Sequence, residues 1–369
     1  MSPSRWLGDI FKRFEYIYLQ PTILERIISH GALFAVLILL YSCNGQPQSN
    51  NKSVPNYKDI PSLVNILDDV SEGIVYFSYD NGFNWENESS GLPSTVHIGL
   101  GGIAASENNL ALLSKDSGLY LFDDQKKRWL HVPTDPQLMK SNPGALLFFK
   151  HHLYAATQHG GIFQSMDEGK TWTNLNDGLD NLGIRKFADI ENTLYAATNS
   201  GLYSYDELRK RWKLEYGSST LQVNGLTTLD GSIYIATNQG AFVTPIGKKE
   251  WKKIYSKGTL HNIGSGDKTL YAMVYDELFS TSDKGKSWQS IQKGLPKELY
   301  TFNVIQYKED IFAGQWDGVY RKSQEGVEWQ YSGDGLPEKM AVTNLIEFKG
   351  ILVAAGSERR LKPGKTIKK

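Results

Sequence analysis

Apolar residues along this chain fall in short runs, several alternating with polar ones, and turn residues separate the runs. Residues 145–175 read ALLFFKHHLYAATQHGGIFQSMDEGKTWTNL, and residues 185–216 read RKFADIENTLYAATNSGLYSYDELRKRWKLEY. Two further stretches, GLTTLDGSIYIATNQGAFVTPIGKKEWKKIY and NIGSGDKTLYAMVYDELFSTSDKGKSWQSI, have the same layout of four runs. Runs of this length bounded by Gly, Asn and Asp predict four short strands per stretch rather than helices. The second run is the most uniform: LYAAT from Leu153 and from Leu194, IYIAT from Ile233, LYAMV from Leu270, IFAGQ from Ile311 and ILVAA from Ile351. The small third or fourth residue leaves room for a neighbouring strand, and the aromatic residues are expected to pack between units.

Seven tryptophans, Trp85, Trp129, Trp172, Trp212, Trp251, Trp288 and Trp329, mark the units at intervals of 44, 43, 40, 39, 37 and 41 residues. A period near 40 with four strands per unit predicts the blades of a β-propeller. The ends complement each other. Residues 73–89 supply only the last two strands of a unit, and residues 342–357 only the first two. Six complete blades plus this composite predict an all-β, seven-bladed propeller, with no open sheet edge left at the ends of the chain.

The sharpest motif lies between third and fourth strands. Ser165, Asp167, Gly169, Thr171 and Trp172 fit S-x-D-x-G-x-T-W; Thr281, Asp283, Gly285, Ser287 and Trp288 fit with conservative exchanges. Ser78, Asp80, Gly82 and Trp85 fit apart from Asn84, and the copy ending at Trp329 has Gln324 for Asp and Glu328 for Thr. An Asp carboxylate in this position accepts backbone N–H groups further along the turn, and the Gly permits positive φ, so these carboxylates are expected to be turn-formers. The residues resemble the Asp-box, or bacterial neuraminidase, repeat. The resemblance covers residues 73–357 and includes sialidases, sortilin-type receptors and photosystem II assembly-factor-like propellers, the last closest in blade number. It implies that the boxes lie on the face away from any active or binding site.

Two loop sets should build that opposite face. One joins each fourth strand to the next blade (GLPSTVH, GLDNLGIR, GLPKELYT, GLPEKMAV), and the other joins second and third strands (TQHGG, TNSG, TNQG, QWDG). Loops on a rigid scaffold are the usual carriers of function. The candidate binding residues there are His97, His159, Arg185, Asn199, Asn238, Gln239, His261, Tyr300, Trp316 and Asp317. Trp316 stands off the ladder beside an acid, in keeping with an interface anchor or with packing over the channel mouth. Sialidase chemistry, as the resemblance implies it, needs three convergent arginines, a Tyr–Glu nucleophile pair and an acid/base Asp. Between residues 54 and 357 the arginines are Arg128, Arg185, Arg209, Arg211 and Arg321, and only Arg185 begins an inner strand. No catalytic residue, metal site or cofactor is therefore expected. His151 and His152 are adjacent and diverge on a strand or turn.

Charge changes the picture little: 40 basic against 40 acidic residues gives no basic field for nucleic acid. The single cysteine changes it more. Arg5, Lys12, Arg13 and Arg26 precede an apolar run at residues 32–40, and Cys43 follows closely. The run is short for a membrane span and fits a signal-peptide core, and its end resembles a bacterial lipoprotein signal with Cys43 as the acylated residue. The expected organisation is a signal at 1–42, a polar tether at 43–58, the propeller at 59–357 and a basic tail at 358–369. The reading is a lipid-anchored propeller of the bacterial cell envelope, facing the periplasm or exterior, that scaffolds a protein partner. A sialidase-like glycoside hydrolase or glycan-binding protein is the alternative.

Overall fold

The computed structural model describes residues 74–93, 96–297, 301–338 and 340–356. The expected signal, Cys43, the tether, the tail and Tyr300 lie outside the described residues. The described residues form seven four-stranded antiparallel sheets. Among the described residues, one short helix, Pro136–Lys140, interrupts the strands, capped by the Asp135 carboxylate on the Gln137 N–H.

The inner strands are Ile98–Ala105, Pro143–Phe149, Ile184–Ile190, Val223–Leu229, Asn262–Ser265, Asn303–Tyr307 and Val342–Phe348, and they number blades 1 to 7. Each lies beside the next, and Val342–Phe348 lies beside Ile98–Ala105, so the ring closes. Blade 7 is the composite: Val75–Ser78, with Glu86–Asn87 outside it, pairs with Ile351–Gly356 in the register Val75 to Ala355 through Ser78 to Leu352. The propeller with a blade shared between the two ends is thus as the repeat pattern predicts.

A single blade cannot bury both of its faces, so the core is divided. Seven apolar clusters sit one between each adjacent pair of blades. The small residues of the second strands, among them Ala155, Ala196, Ala236, Ala272, Ala313 and Ala354, are wholly buried.

The tryptophans act between blades. The indole N–H of Trp85 donates to Ser332 O, that of Trp129 to Glu88 O, Trp212 to Leu175 O, Trp288 to Ile254 O and Trp329 to Ile291 O, in each case reaching the preceding blade. Trp172 instead closes its own turn through Gly169 O. Trp251 stacks on Tyr216 of blade 3 at 4.9 Å between ring centres. Trp85, Trp129, Trp212 and Trp329 are fully buried, whereas Trp172, Trp251 and Trp288 are half-buried.

A glycine separates the two groups. Before each fully buried Trp, the preceding blade ends in Gly-Leu, at Gly335, Gly91, Gly178 and Gly294 respectively. All four glycines have positive φ, and a Cβ on any of them would stand 2.1–2.2 Å from the carbonyl oxygen of its Trp. The residue before each glycine accepts the Trp backbone N–H through its own carbonyl, at 2.7–3.0 Å. The Gly-Leu loops, read from sequence as part of the ligand face, thus begin as a lock between blades.

In the turn motifs, the Asp167 carboxylate accepts Ser165 Oγ at 2.8 Å, the Thr171 N–H at 2.8 Å and Thr171 Oγ1 at 2.7 Å. Asp283 repeats this with Thr281 and Ser287, and Asp80 does so with Ser78, Phe83 and Asn84. The Thr171 hydroxyl and N–H hold the Asp167 carboxyl down to about 2. Asn81, Glu168 and Lys284, each just before the motif glycine, also have positive φ, so two successive left-handed residues make the turn.

Candidate functional site

In an antiparallel four-stranded blade, the loops after the second and fourth strands lie opposite the other two turns. The inner strands line the axis of a propeller. Arg185 therefore stands at the channel end away from the tryptophan turns. It is the extra residue of a β-bulge, since Ile184 pairs with Thr198 and Lys186 with Ala197. A bulge re-aims side chains that strict alternation would send to opposite faces.

Lys186 of this bulge reaches across blade 4 to blade 5, where the charge of Arg185 is also felt. Lys186 Nζ donates to Asn262 Oδ1 at 3.0 Å, and Arg185 acts electrostatically on the neighbouring His261. Gly225 of blade 4 clears the path, because a Cβ there would stand 2.4 Å from Asn262 Oδ1. Arg185 Nη1 also donates to Asn199 Oδ1 at 3.1 Å. Among the described residues, neither Arg185 nor Lys186 forms an ion pair with a carboxylate.

The surroundings set the protonation states. Burial, then the Arg185 charge, brings His261 down to about 4, so its ring is neutral at pH 7. Lys186 as a residue is partly exposed, and desolvation around its amine brings it down to about 8, still charged at neutral pH. The site thus presents two cations flanked by neutral amide and imidazole donors and acceptors. Such a set suits a carboxylate or another oxyanion.

The cluster continues into blade 6. Asn262 Nδ2 donates to Phe302 O at 3.0 Å, and the Phe302 ring packs on Trp316 at 4.9 Å. Of the ten candidate positions, the structure joins Arg185, Asn199, His261 and Trp316 in this chain of contacts. Asp317 is next to Trp316, and its Oδ2 accepts the Tyr320 hydroxyl at 3.0 Å. The others stand apart. His97 pairs with Asp116 in its own blade, and His159 is exposed. Asn238 is spent on its loop, bonding the Gln222 N–H and Thr220 O, and Gln239 beside it is exposed.

Sequence reasoning missed Lys186 and a belt of asparagines. Asn224, Asn262, Asn303 and Asn344 each donate from an inner strand to a backbone carbonyl of the next blade: Leu260, Phe302, Thr343 and Gly99. The signal was present as V-N-G-L, H-N-I-G, F-N-V-I and T-N-L-I at the start of successive units. The other arginines do not converge here. Arg321 pairs with Asp310 and covers Phe83, Arg209 bonds Asp206, and Arg211 faces Asp177 at 4.0 Å. His151 lies in a turn at φ 66°, with His152 opening the next strand. No group of three metal-binding side chains occurs among the described residues.

Fold and site together define the class: a seven-bladed β-propeller with a cationic channel end. No protein-family model matches the chain, and no curated protein matches it. Among solved structures it is similar to YCF48 bound to D1 peptide, at 14% identity and a TM-score of 0.57, over 74% of this chain and 96% of that one. It is also similar to the extracellular domain of a hybrid two-component system from B. thetaiotaomicron, at 14% identity and a TM-score of 0.54 over 69% of this chain, spanning only 40% of that domain. An ancestral GH74 enzyme matches at 12% identity and a TM-score of 0.57, over 73% of this chain and 45% of that one. At these identities the likeness speaks for the fold.

Proposed function

We propose that this is an exported, lipid-anchored propeller of the Asp-box class that binds a protein partner without catalysis, taking an acidic segment of that partner at the Arg185–Lys186 end of the channel. The observation that carries this reading is that Lys186 bonds Asn262 while the Arg185 charge acts on the adjacent His261, with no carboxylate paired to either cation among the described residues. An unpaired, partly buried cation is costly, and an incoming carboxylate removes that cost. The similar fold of YCF48 in complex with a peptide supports a peptide as ligand, and the extracellular neighbour supports an envelope location.

The GH74 neighbour favours a second reading, a glycoside hydrolase. Glycosidases generally place two carboxyl groups about 5–9.5 Å apart around the scissile bond. Among the described residues neither Arg185 nor Lys186 pairs with a carboxylate, and they bond the amides of Asn199 and Asn262 instead.

Binding of a fluorescent Glu-rich peptide should be saturable and weaken about tenfold or more in Arg185→Ala and in Lys186→Met, the loss expected for a charge-assisted hydrogen bond. Affinity should also fall as pH rises through about 8, where Lys186 loses its proton. The free protein should show the opposite trend. From pH 8 towards 10.5 the unfolded lysine keeps its proton longer than the folded one, so stability rises. Equal binding of a Lys-rich peptide, or affinity indifferent to both substitutions, overturns the proposal. Hydrolysis of oligosaccharides by the purified protein would establish the second reading in its place. The anchor has its own test: cells expressing the protein should incorporate labelled palmitate into it, and Cys43→Ala should abolish the label.

A further inference from the structure

The sixth blade keeps the glycine and tryptophan of the turn motif but not its hydroxyl and carboxylate, and the alteration opens a second site. Lys322 occupies the position of Ser78, Ser165 and Thr281 in the other copies, and Gln324 that of the Asp. In those copies the buried hydroxyl bonds the Asp carboxylate and the glycine N–H, as Ser165 does with Asp167 and Gly169. In blade 6 the backbone takes over: Gly326 N donates to Ser323 O at 3.0 Å. The lysine is left with no turn to close.

Lys322 is nevertheless 9% exposed. Its amine makes one long contact, 3.4 Å to the carbonyl of the adjacent Ser323, and among the described residues it has no carboxylate partner. It lines a cavity of about 410 Å³ between blades 5 and 6. Lining it from blade 5 are the hydroxyl-bearing residues Thr269, Tyr271 and Ser280. The carboxylate on the wall, Asp267, is exposed and accepts Gln306 Nε2 at 2.8 Å, while its backbone N–H donates to Gln306 Oε1 at 2.7 Å, and Lys268 beside it adds a second positive charge to the rim. Burial lowers the Lys322 pKa, as expected for an amine without a counter-charge.

We infer that this cleft binds a small oxyanion, a carboxylate or phosphate on a molecule of monosaccharide size, with the Lys322 ammonium on the anion and the blade 5 hydroxyls on its remaining oxygens. The cavity volume falls within the range of small-molecule sites. A buried charge is retained in proteins when it is paired, and here the pairing partner has to come from outside the described chain. The site is separate from the channel end, so the two proposals stand or fall independently.

The test compares glucuronate and inorganic phosphate with neutral glucose, by calorimetry and thermal shift on the whole protein. Glucuronate, phosphate or both should bind saturably, and glucose at least about tenfold more weakly, the difference expected for one charge-assisted hydrogen bond. Lys322→Ser restores the residue that two other blades carry at this position, so it should fold; it should lose anion binding by about tenfold or more and melt higher than the parent without ligand. Preference for glucuronate assigns a sugar acid, and preference for phosphate a phosphorylated ligand; either supports the site. Absence of saturable binding by both anions, equal binding of glucose, or unchanged binding in Lys322→Ser overturns it.

Discussion

Val353→Asp should open the ring. Val353 is fully buried on the strand that joins the two ends of the chain, paired with Phe77 on one side and Ile346 on the other. It packs in the cluster between blades 7 and 1, with Phe77, Trp129 and Ile103. A carboxylate there has no partner in an apolar cluster, and a buried, uncompensated charge costs several kcal/mol. Folded domains hold only about 5–15 kcal/mol in reserve. The location compounds the effect, because blade 7 exists only while residues 75–78 and 351–356 stay paired. Releasing them frees two strand edges and invites aggregation. Equilibrium unfolding in urea, followed by tryptophan emission, should show the variant largely unfolded or aggregated without denaturant. Glu347→Lys, an exposed position on the adjacent strand, should leave the midpoint almost unchanged. A Val353→Asp protein that unfolds cooperatively near the parent midpoint would show that the seam does not hold the ring.

Gly178→Ala should be strongly damaging for a single methyl added at a blade boundary. The residue sits at φ 87°, and the new Cβ would stand 2.2 Å from Trp212 O and 3.0 Å from Trp212 N. Left-handed strain accounts for about 1–2 kcal/mol. Overpacking against an immobile backbone adds about 1–3 kcal/mol, so a total near 3 kcal/mol is expected. The control is Gly231→Ala, which shares positive φ (67°) but has nothing within 4 Å. It should cost only the strain, about 1 kcal/mol. In thermal unfolding, about 2 kcal/mol of difference corresponds to roughly 4–8 °C in a domain of this size. Equal losses in the two variants would mean that the glycine serves its φ alone and that no lock exists between the blades.

Both expectations rest on features that were only partly legible in the sequence. The period of the tryptophans and the four runs per unit dictated the blades, because each strand is short and its alternation survives in every copy. The turn motif could be read to the level of individual hydrogen bonds, since Ser165, Asp167, Gly169 and Thr171 interact within seven residues of chain. Gly-Leu after the fourth strand was visible four times, but its partner is a tryptophan 34–38 residues later, or 250 residues earlier for Gly335, and nothing local connects them.

The candidate site shows the same division more sharply. Arg185 was singled out because it begins an inner strand, a property of its own repeat. Strict alternation turns Lys186 away from Arg185, and only the bulge against Thr198 and Ala197 re-aims the pair. Asn262 lies 76 residues beyond Lys186 and meets it across an intervening blade at a glycine. Lys322 reads as one more imperfect copy of a turn until its burial beside a cavity is seen.

By itself, then, the sequence determined the local chemistry of this protein: seven repeats, their strands, their turns, and an incomplete unit at each end that had to pair. These follow from periodicity and from contacts short in sequence, where residue type dictates backbone geometry. The tertiary structure alone decided which blades lock through glycine and tryptophan, which side chains meet across the channel, and where a lysine is left without a counter-charge. Those depend on contacts between blades, where the burial of each group is set by neighbours that lie far away along the chain.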